Sequence, residues 1–512
     1  MDWTAGYASD VEYVTGFYRE QSPSWLNFVC LLNGCEPIAL DRPYTYCELG
    51  FGRGSTAQVL AAGNPNGRFF AADFNPAHVA GAARLAAQAQ LDNLQLLENS
   101  FEELASGCVD LPGFDFITLH GVYTWVSGDN RRHIVNFINR YLKPGGVVYI
   151  SYNAMPGWAV ALPLQRLLLE YADLFPNRSD LQIQGANELI QVLERAQARY
   201  LTQNPALAVR TSNLRTADTN YLVHEYMHRT WCPMFHADVA RDLASAKMTF
   251  VGSADLPFAY PALYLNDEMA ALLAQITQPE TRETLQDYYL NTAFRKDVFV
   301  RGANRIGPVR QAELLEQLTL VLTVPRAVAT ADIQLSVGEF AGNTDVYEAV
   351  LDAIAARPHT LAELVKLPGL GLLGIQDLAQ VAVLLCSSNQ ASFYFSSGAG
   401  LNGDAARRLN RTLSLQVRYG EEHAALCSPL LGNGVTASLV ERLFYLALAE
   451  NGGDDPAALA RYAWQTMAPV RRRMLRNGTA ECSVLDKLPE LKILAERFVS
   501  EKLPVWRSLK II

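Results

Sequence analysis

From Tyr44 to Tyr152 the chain alternates short apolar runs with helical patterns, and this alternation restricts its fold more than any other feature. Tyr44 to Leu49 reads as a strand, followed by a glycine turn and a helix through Val59-Leu60-Ala61-Ala62. Arg68 to Asp73 (RFFAAD) is a second strand. Asn75-Pro76 then has the form of a helix start, with Asn as cap and Pro in the first turn. The Ala-rich stretch 77–90 is that helix, Leu94 to Leu97 a third strand, and Phe101 to Ala105 a short helix. Phe114 to Leu119 is a fourth strand. Ile134, Phe137, Ile138, Tyr141 and Leu142 then fall on one helix face, which Ser127 or Asp129 can cap and Pro144-Gly145-Gly146 stops. Val147 to Tyr152 is a fifth strand. Strands joined by helical crossovers make a parallel α/β sheet, and such sheets bind ligands beyond the carboxyl ends of their strands.

The first such end reads Glu48-Leu49-Gly50-Phe51-Gly52-Arg53-Gly54-Ser55. Glycines let the backbone turn tightly against a ligand, and the next helix offers free N–H groups. A dinucleotide turn, GxGxxG, wants its third glycine where Ser55 stands. The pattern GxGxG, with Glu48 before it, a second acid at Asp73 and KPGG before strand five, favours S-adenosylmethionine (SAM) instead. On the turn alone, a nicotinamide site and an empty structural turn remain alternatives.

The stretches ELGFGRG, AADFNPAH, LHGVYTWVS, YLKPGGVVYISYNAMPGW and YLVHEY resemble one bacterial group, from about Tyr13 to Arg301. These are class I SAM-dependent methyltransferases with a methyltransferase regulatory domain, among them the rickettsial protein-lysine methyltransferases. The resemblance implies a Rossmann-like SAM-binding core and suggests a protein lysine as acceptor. By position, it implies that Gly50, Phe51, Gly52 and Gly54 line the methionine part of SAM, with Glu48 supporting its amino group. Asp73 takes the ribose hydroxyls, Phe74 and Asn75 flank the adenosine, Ser100 and Phe101 edge the adenine, and His120 and Gly121 lie beside the sulfonium.

A lysine acceptor must shed its ammonium proton before it can attack a methyl group. An aromatic, poorly solvated pocket lowers its pKa and attracts the sulfonium and the methylated product. Tyr123, Trp125, Tyr152 and Trp158 follow strands four and five and suit such a pocket, with Asn153 adding an amide. Tyr123, Tyr152 and His120 are the candidate catalytic residues, although a structural role for His120 fits equally well. Tyr13 and Tyr18 are placed to close over SAM, with Tyr18 also a candidate acceptor contact.

His224-Glu225-x-x-His228 spells a zinc-peptidase helix. The metzincin form needs a third His ten residues after the first, whereas His236 is twelve after with no glycine between, and Pro233 ends the helix early. No metal is expected, and His228 reads as an incidental surface or packing residue.

Residues 159–245 read as mainly helical, and Met248–Val251 with Asp297–Arg301 as the last two strands. Beyond them, Val346, Ala349, Val350 and Ile354 share a helix face, Thr360 caps a second helix, Ile375–Ser387 is a third and Ala391–Phe395 a strand. That order suggests a winged-helix-like module, followed by further helix over 405–512. The expected domains are a SAM-binding core over 1–158, a helical insertion and regulatory region completing the sheet over 159–301, and a mainly helical C-terminal domain over 302–512.

The formal net charge of −9 argues against nucleic acid as partner, although the end from Arg461 carries 11 Lys/Arg against 5 Asp/Glu. Eight cysteines form no CxxC pair, the opening MDWTAGYASD lacks the apolar run of a leader, and no segment is apolar enough to span a membrane. A cytoplasmic enzyme acting on a protein substrate is expected, with a homodimer as one arrangement of the insertion. The rivals are a small-molecule methyltransferase and a SAM- or SAH-binding regulatory protein without transfer activity.

Overall fold

The computed structural model describes residues 10–11, 16–335, 337–395, 403–419, 424–476 and 488–512. Its centre is a seven-stranded sheet of β1 (Tyr44–Leu49), β2 (Gly67–Asp73), β3 (Leu94–Glu98), β4 (Phe114–Leu119), β5 (Leu142–Asn153), β6 (Met248–Ser253) and β7 (Phe294–Arg301). The strand order is β3-β2-β1-β4-β5-β7-β6. The first five strands run parallel, and β7 enters antiparallel between β5 and β6. Strand order therefore reverses on either side of β1 and β4, which opens a crevice at their carboxyl ends.

Period-two alternation divides the sheet between two cores. Tyr46, Phe116, Tyr149 and Val298 pack on one face with the helix Pro23–Leu32 and continue into the C-terminal half. Cys47, Ile117, Val148, Ile150 and Phe299 pack on the other with the helices Gly128–Tyr141 and His236–Ala244. Helix starts follow local chemistry: Asn75 caps Pro76–Gln88, Ser100 and Glu103 form a capping box, and Ser127 caps Gly128–Tyr141. One boundary differs from expectation. The segment Lys143-Pro-Gly-Gly146 does not separate helix from strand but lies within β5, where the register with β4 shifts between Phe114 and Phe116.

The segment after β5 is helical, with Leu162–Asp173, Ser179–Arg195, Ala208–Thr216 and Thr219–Tyr226 gathered around Leu164, Leu168, Ile190 and Leu222. The C-terminal half adds β8 (Leu318–Leu322), a hairpin of β9 (Asp332–Leu335) and β10 (Gly338–Ala341), then β11 (His359–Thr360) and β12 (Ala391–Phe395). Strand β8 lies between β11 and β12, beside the helices Thr344–Ala356, Leu361–Leu364 and Ile375–Ser387. The span after 405 is not helix throughout: β13 (Ala425–Ser428) and β14 (Asn433–Thr436) form a second hairpin. That hairpin braces the helix Ser55–Gly63, with Asn64 Nδ2 donating to the Gly432 carbonyl at 2.7 Å. Among the described residues no helix is long and apolar enough to cross a membrane.

Candidate active site

The chain leaves β1 through three glycines with left-handed backbone, at φ +71° (Gly50), +58° (Gly52) and +79° (Gly54). Side chains disfavour that region, and space closes it further: a Cβ on Gly50 would lie 2.6 Å from Val122 Cγ2. The Gly52 N–H donates to Asp73 Oδ2 at 2.8 Å, so the acid ending β2 holds the turn after β1. Asp73 Oδ1 accepts the Asn75 N–H at 2.9 Å and faces His78 Nδ1 at 3.3 Å. A carboxylate has about four acceptor sites, so capacity is left for ligand hydroxyls.

Beyond this turn lies a cavity of about 270 Å³. Its walls bring together Glu48, Gly50, Phe51, Gly52, Gly54, Asp73, Phe74, Ser100, Phe101, His120 and Gly121, as expected from the sequence. Tyr18 and Trp125 also line it. Asn75 does not; its side chain accepts from the Ala77 N–H at 2.9 Å as a helix cap. Asn99, Ser55 and Thr56 join the wall without having been assigned a ligand contact. Their cue was position, at the end of β3 and the start of the helix Ser55–Gly63. Tyr13 lies outside the described residues.

Glu48 tests what this cavity fits. The residue is 4 % exposed; one oxygen meets Gln21 Nε2 at 3.5 Å, and Oε2 has no hydrogen-bond partner. Burial raises its carboxyl to about 8, against the pull of the Gln21 hydrogen bond and with a smaller push from Asp73. An orphaned acidic oxygen in the wall is matched by a ligand ammonium, which the methionine part of SAM presents. The glycine turn and Asp73 fit the remainder, so the residues present suit that cofactor.

His120 sits where three cavities meet. Its Nδ1 pairs with the Tyr149 hydroxyl at 2.8 Å, and its ring stacks on Tyr18 at 3.6 Å. Burial pushes the imidazole down to about 3, which leaves it neutral and a weak proton acceptor at pH 7. The second cavity, about 320 Å³, shares His120, Gly121 and Trp125 with the first. Asn153 and Trp158 line it, together with Arg210, Tyr221, His224, Glu225 and His228 from the helical insertion and the segment after it. The third, about 680 Å³, runs between the sheet and the C-terminal half past Glu20 and Lys296, which pair at 2.7 Å.

Tyr123 and Tyr152 line none of these cavities. Both are fully buried, and their hydroxyls donate to Asp242 at 2.8 Å and Asp297 at 2.6 Å. Tyr152 continues the face of Val148 and Ile150 and so points into the core, where Asp297 also holds Arg295 and His236. Burial first, and then the carboxylate that each hydroxyl binds, holds both phenols in the protonated state, which removes the case for either as a catalytic base.

The HEYMH stretch is not one helical face. The helix ends at Tyr226, so His228 lies beyond it, while His236 is bound to Asp297 at 2.9 Å. His228 is a packing residue and not a surface one: it is 1 % exposed, with its ring edge-on to Trp125 at 5.2 Å. Among the described residues no group of three or more His, Cys, Asp or Glu is placed to hold a metal ion.

Comparison with known proteins finds two family models along the chain and relatives that span all or part of it. A methyltransferase domain model matches residues 47–148, and a model described as "Predicted methyltransferase regulatory domain" matches 218–301. An uncharacterised protein of Synechocystis, sll1526, is 35% identical over 523 residues, covering 100% of both chains. The uncharacterised RP789 of Rickettsia prowazekii is 21% identical over 62% of this chain and 56% of its own. Among solved structures, PKMT2 from Rickettsia typhi in complex with AdoHcy superposes with a TM-score of 0.69 at 16% identity, over 97% of this chain and 99% of its own.

Proposed function

The chain belongs to the class I SAM-dependent methyltransferases that carry a methyltransferase regulatory domain, and from that premise we propose that it methylates lysine side chains of a protein. SAM supplies a methyl group on a sulfonium, a good leaving group, so the chain's task is to seat the acceptor in line and exclude water. Glu48, the Gly50–Gly54 turn and Asp73 hold the cofactor end. Tyr18 stacks on His120 at the point where the cavities join.

The single observation that carries the lysine reading is the second cavity. It meets the cofactor cavity at His120, Gly121 and Trp125, and the rings of Trp125, Trp158 and Tyr221 line it around one carboxylate, Glu225. Aromatic walls suit an aliphatic stem and a methylated ammonium, and a carboxylate suits the cation at its tip. The test is incubation of the protein with methyl-labelled SAM and a bacterial lysate, followed by separation by size. Label is expected in protein and, after hydrolysis, in methyllysines. Label confined to small molecules would turn the reading to a small-molecule enzyme, and SAM binding without any transfer to a regulatory protein.

A further inference from the structure

We propose that Glu225 is a catalytic residue: its carboxylate receives the acceptor ammonium in the second cavity and takes its proton before methyl transfer. The inference rests on the lysine reading above and deepens it. It assigns chemistry to the segment matched by the regulatory-domain model, which begins at residue 218.

The placement follows from the helix. Asp218 caps Thr219–Tyr226 by accepting from the N–H groups of Asn220 and Tyr221. Leu222, Val223 and Tyr226 then bury into the insertion's core. Tyr221 and Glu225, four residues apart, share the opposite face and reach the cavity. Glu225 is half-buried, and among the described residues lining this cavity it is the one carboxylate. No described cation comes within ion-pair distance of it. Arg210, the nearby guanidinium, instead lies 3.4 Å over the Trp158 ring.

The other candidates are engaged or mismatched. His120 and His228 are each pushed down to about 3 by burial, and burial raises Tyr221 to about 12. Glu20, in the neighbouring groove, is already paired with Lys296. Burial raises the Glu225 carboxyl to about 7, with Arg210 pulling the other way, which matches a base that must load and unload near neutrality. Arg210 helps from the other side, because a like charge beside the acceptor lowers the ammonium's own pKa.

The step balances. The ammonium proton passes to a Glu225 oxygen and leaves an amine lone pair on nitrogen. That pair forms the N–C bond to the methyl carbon as the S–C bond breaks, and its electrons stay on sulfur. The methylated nitrogen carries the positive charge away, and Glu225 returns its proton to solvent.

The test uses the full chain, methyl-labelled SAM and immobilised peptides with one central lysine in random flanks. Matched sets carry arginine, glutamate or serine at the centre. Wild type is expected to label the lysine set. Glu225→Gln should label it about 100-fold more slowly, with SAM affinity by calorimetry within about threefold of wild type. Glu225→Asp, which keeps the charge but withdraws it, should fall between the two. The wild-type rate should rise with pH through the titration of Glu225, whose described titratable surroundings are Arg210, Tyr221, Tyr226, His224 and His228, and Glu225→Gln should lose that inflection. A lysine set labelled by wild type and at a similar rate by Glu225→Gln overturns the role of Glu225 and leaves the lysine reading standing. Equal losses in the Asp and Gln variants also overturn it. Label appearing in the glutamate or serine set, or in none, overturns the lysine reading and this inference with it.

Discussion

The backbone N–H of Gly52 donates to Asp73 Oδ2 at 2.8 Å, so the acid that closes β2 fixes the turn that opens the cofactor cavity. One side chain therefore shapes the site and remains available to the ligand within it. Asp73→Ala is expected to weaken SAM binding by the order of 1.5–3 kcal/mol, the worth of a hydrogen bond to a charged group. It should also lower the melting temperature without ligand, because the Gly52 N–H loses its acceptor. Calorimetry and a thermal melt measure the two effects separately.

The glycines make a sharper contrast. Gly50→Ala is expected to cost about 1–2 kcal/mol for its left-handed backbone, and more for the approach to Val122, with loss of SAM binding. Gly81→Ala, in the helix Pro76–Gln88 with nothing within 4 Å of the new methyl, should gain about 0.5–1 kcal/mol and bind SAM normally. Melting and calorimetry on the pair check both directions.

Glu48 predicts a proton count. With its carboxyl raised to about 8, the folded protein without ligand holds this proton at pH 6.5 to 7. A folded pKa above the unfolded one contributes stability that is complete below about 4.5 and lost as pH rises through about 8. An ammonium beside Glu48 favours the charged form, so SAM binding should release close to one proton near pH 7. Titrations in buffers of different ionisation enthalpy read this release, and Glu48→Gln should abolish it.

The HEYMH stretch yields a prediction that the structure changes. Chelator should leave the melting temperature and SAM binding as they were, since among the described residues no group of three or more His, Cys, Asp or Glu is placed to hold a structural metal. From sequence, His228→Ala would be mild. Its burial against Trp125 instead predicts a loss of about 1–3 kcal/mol, read in a denaturant melt.

These contrasts show what the sequence could and could not carry. The strands, the caps at Asn75 and Ser127 and the glycine turn were legible because each is written in neighbouring residues. The cofactor wall followed, since it lies at strand ends. Tyr152 was misplaced although the period of two through Val148 and Ile150 already pointed it into the core. Tyr123 had no such cue, because its partner Asp242 is 119 residues away. Glu225 was visible only within the YLVHEY stretch and the zinc-like spelling, neither of which pointed to an acceptor site. Its meeting with Trp158 and His120 is made by the tertiary fold, which no local pattern records.

The central claim, that lysine ε-amino groups are the acceptors, is tested most directly by blocking them. Guanidination converts lysines of a lysate to homoarginine and spares the chain N-termini. With methyl-labelled SAM, the wild-type protein should label protein in the untreated lysate and lose nearly all transfer in the guanidinated one. Equal labelling of both lysates would contradict the account.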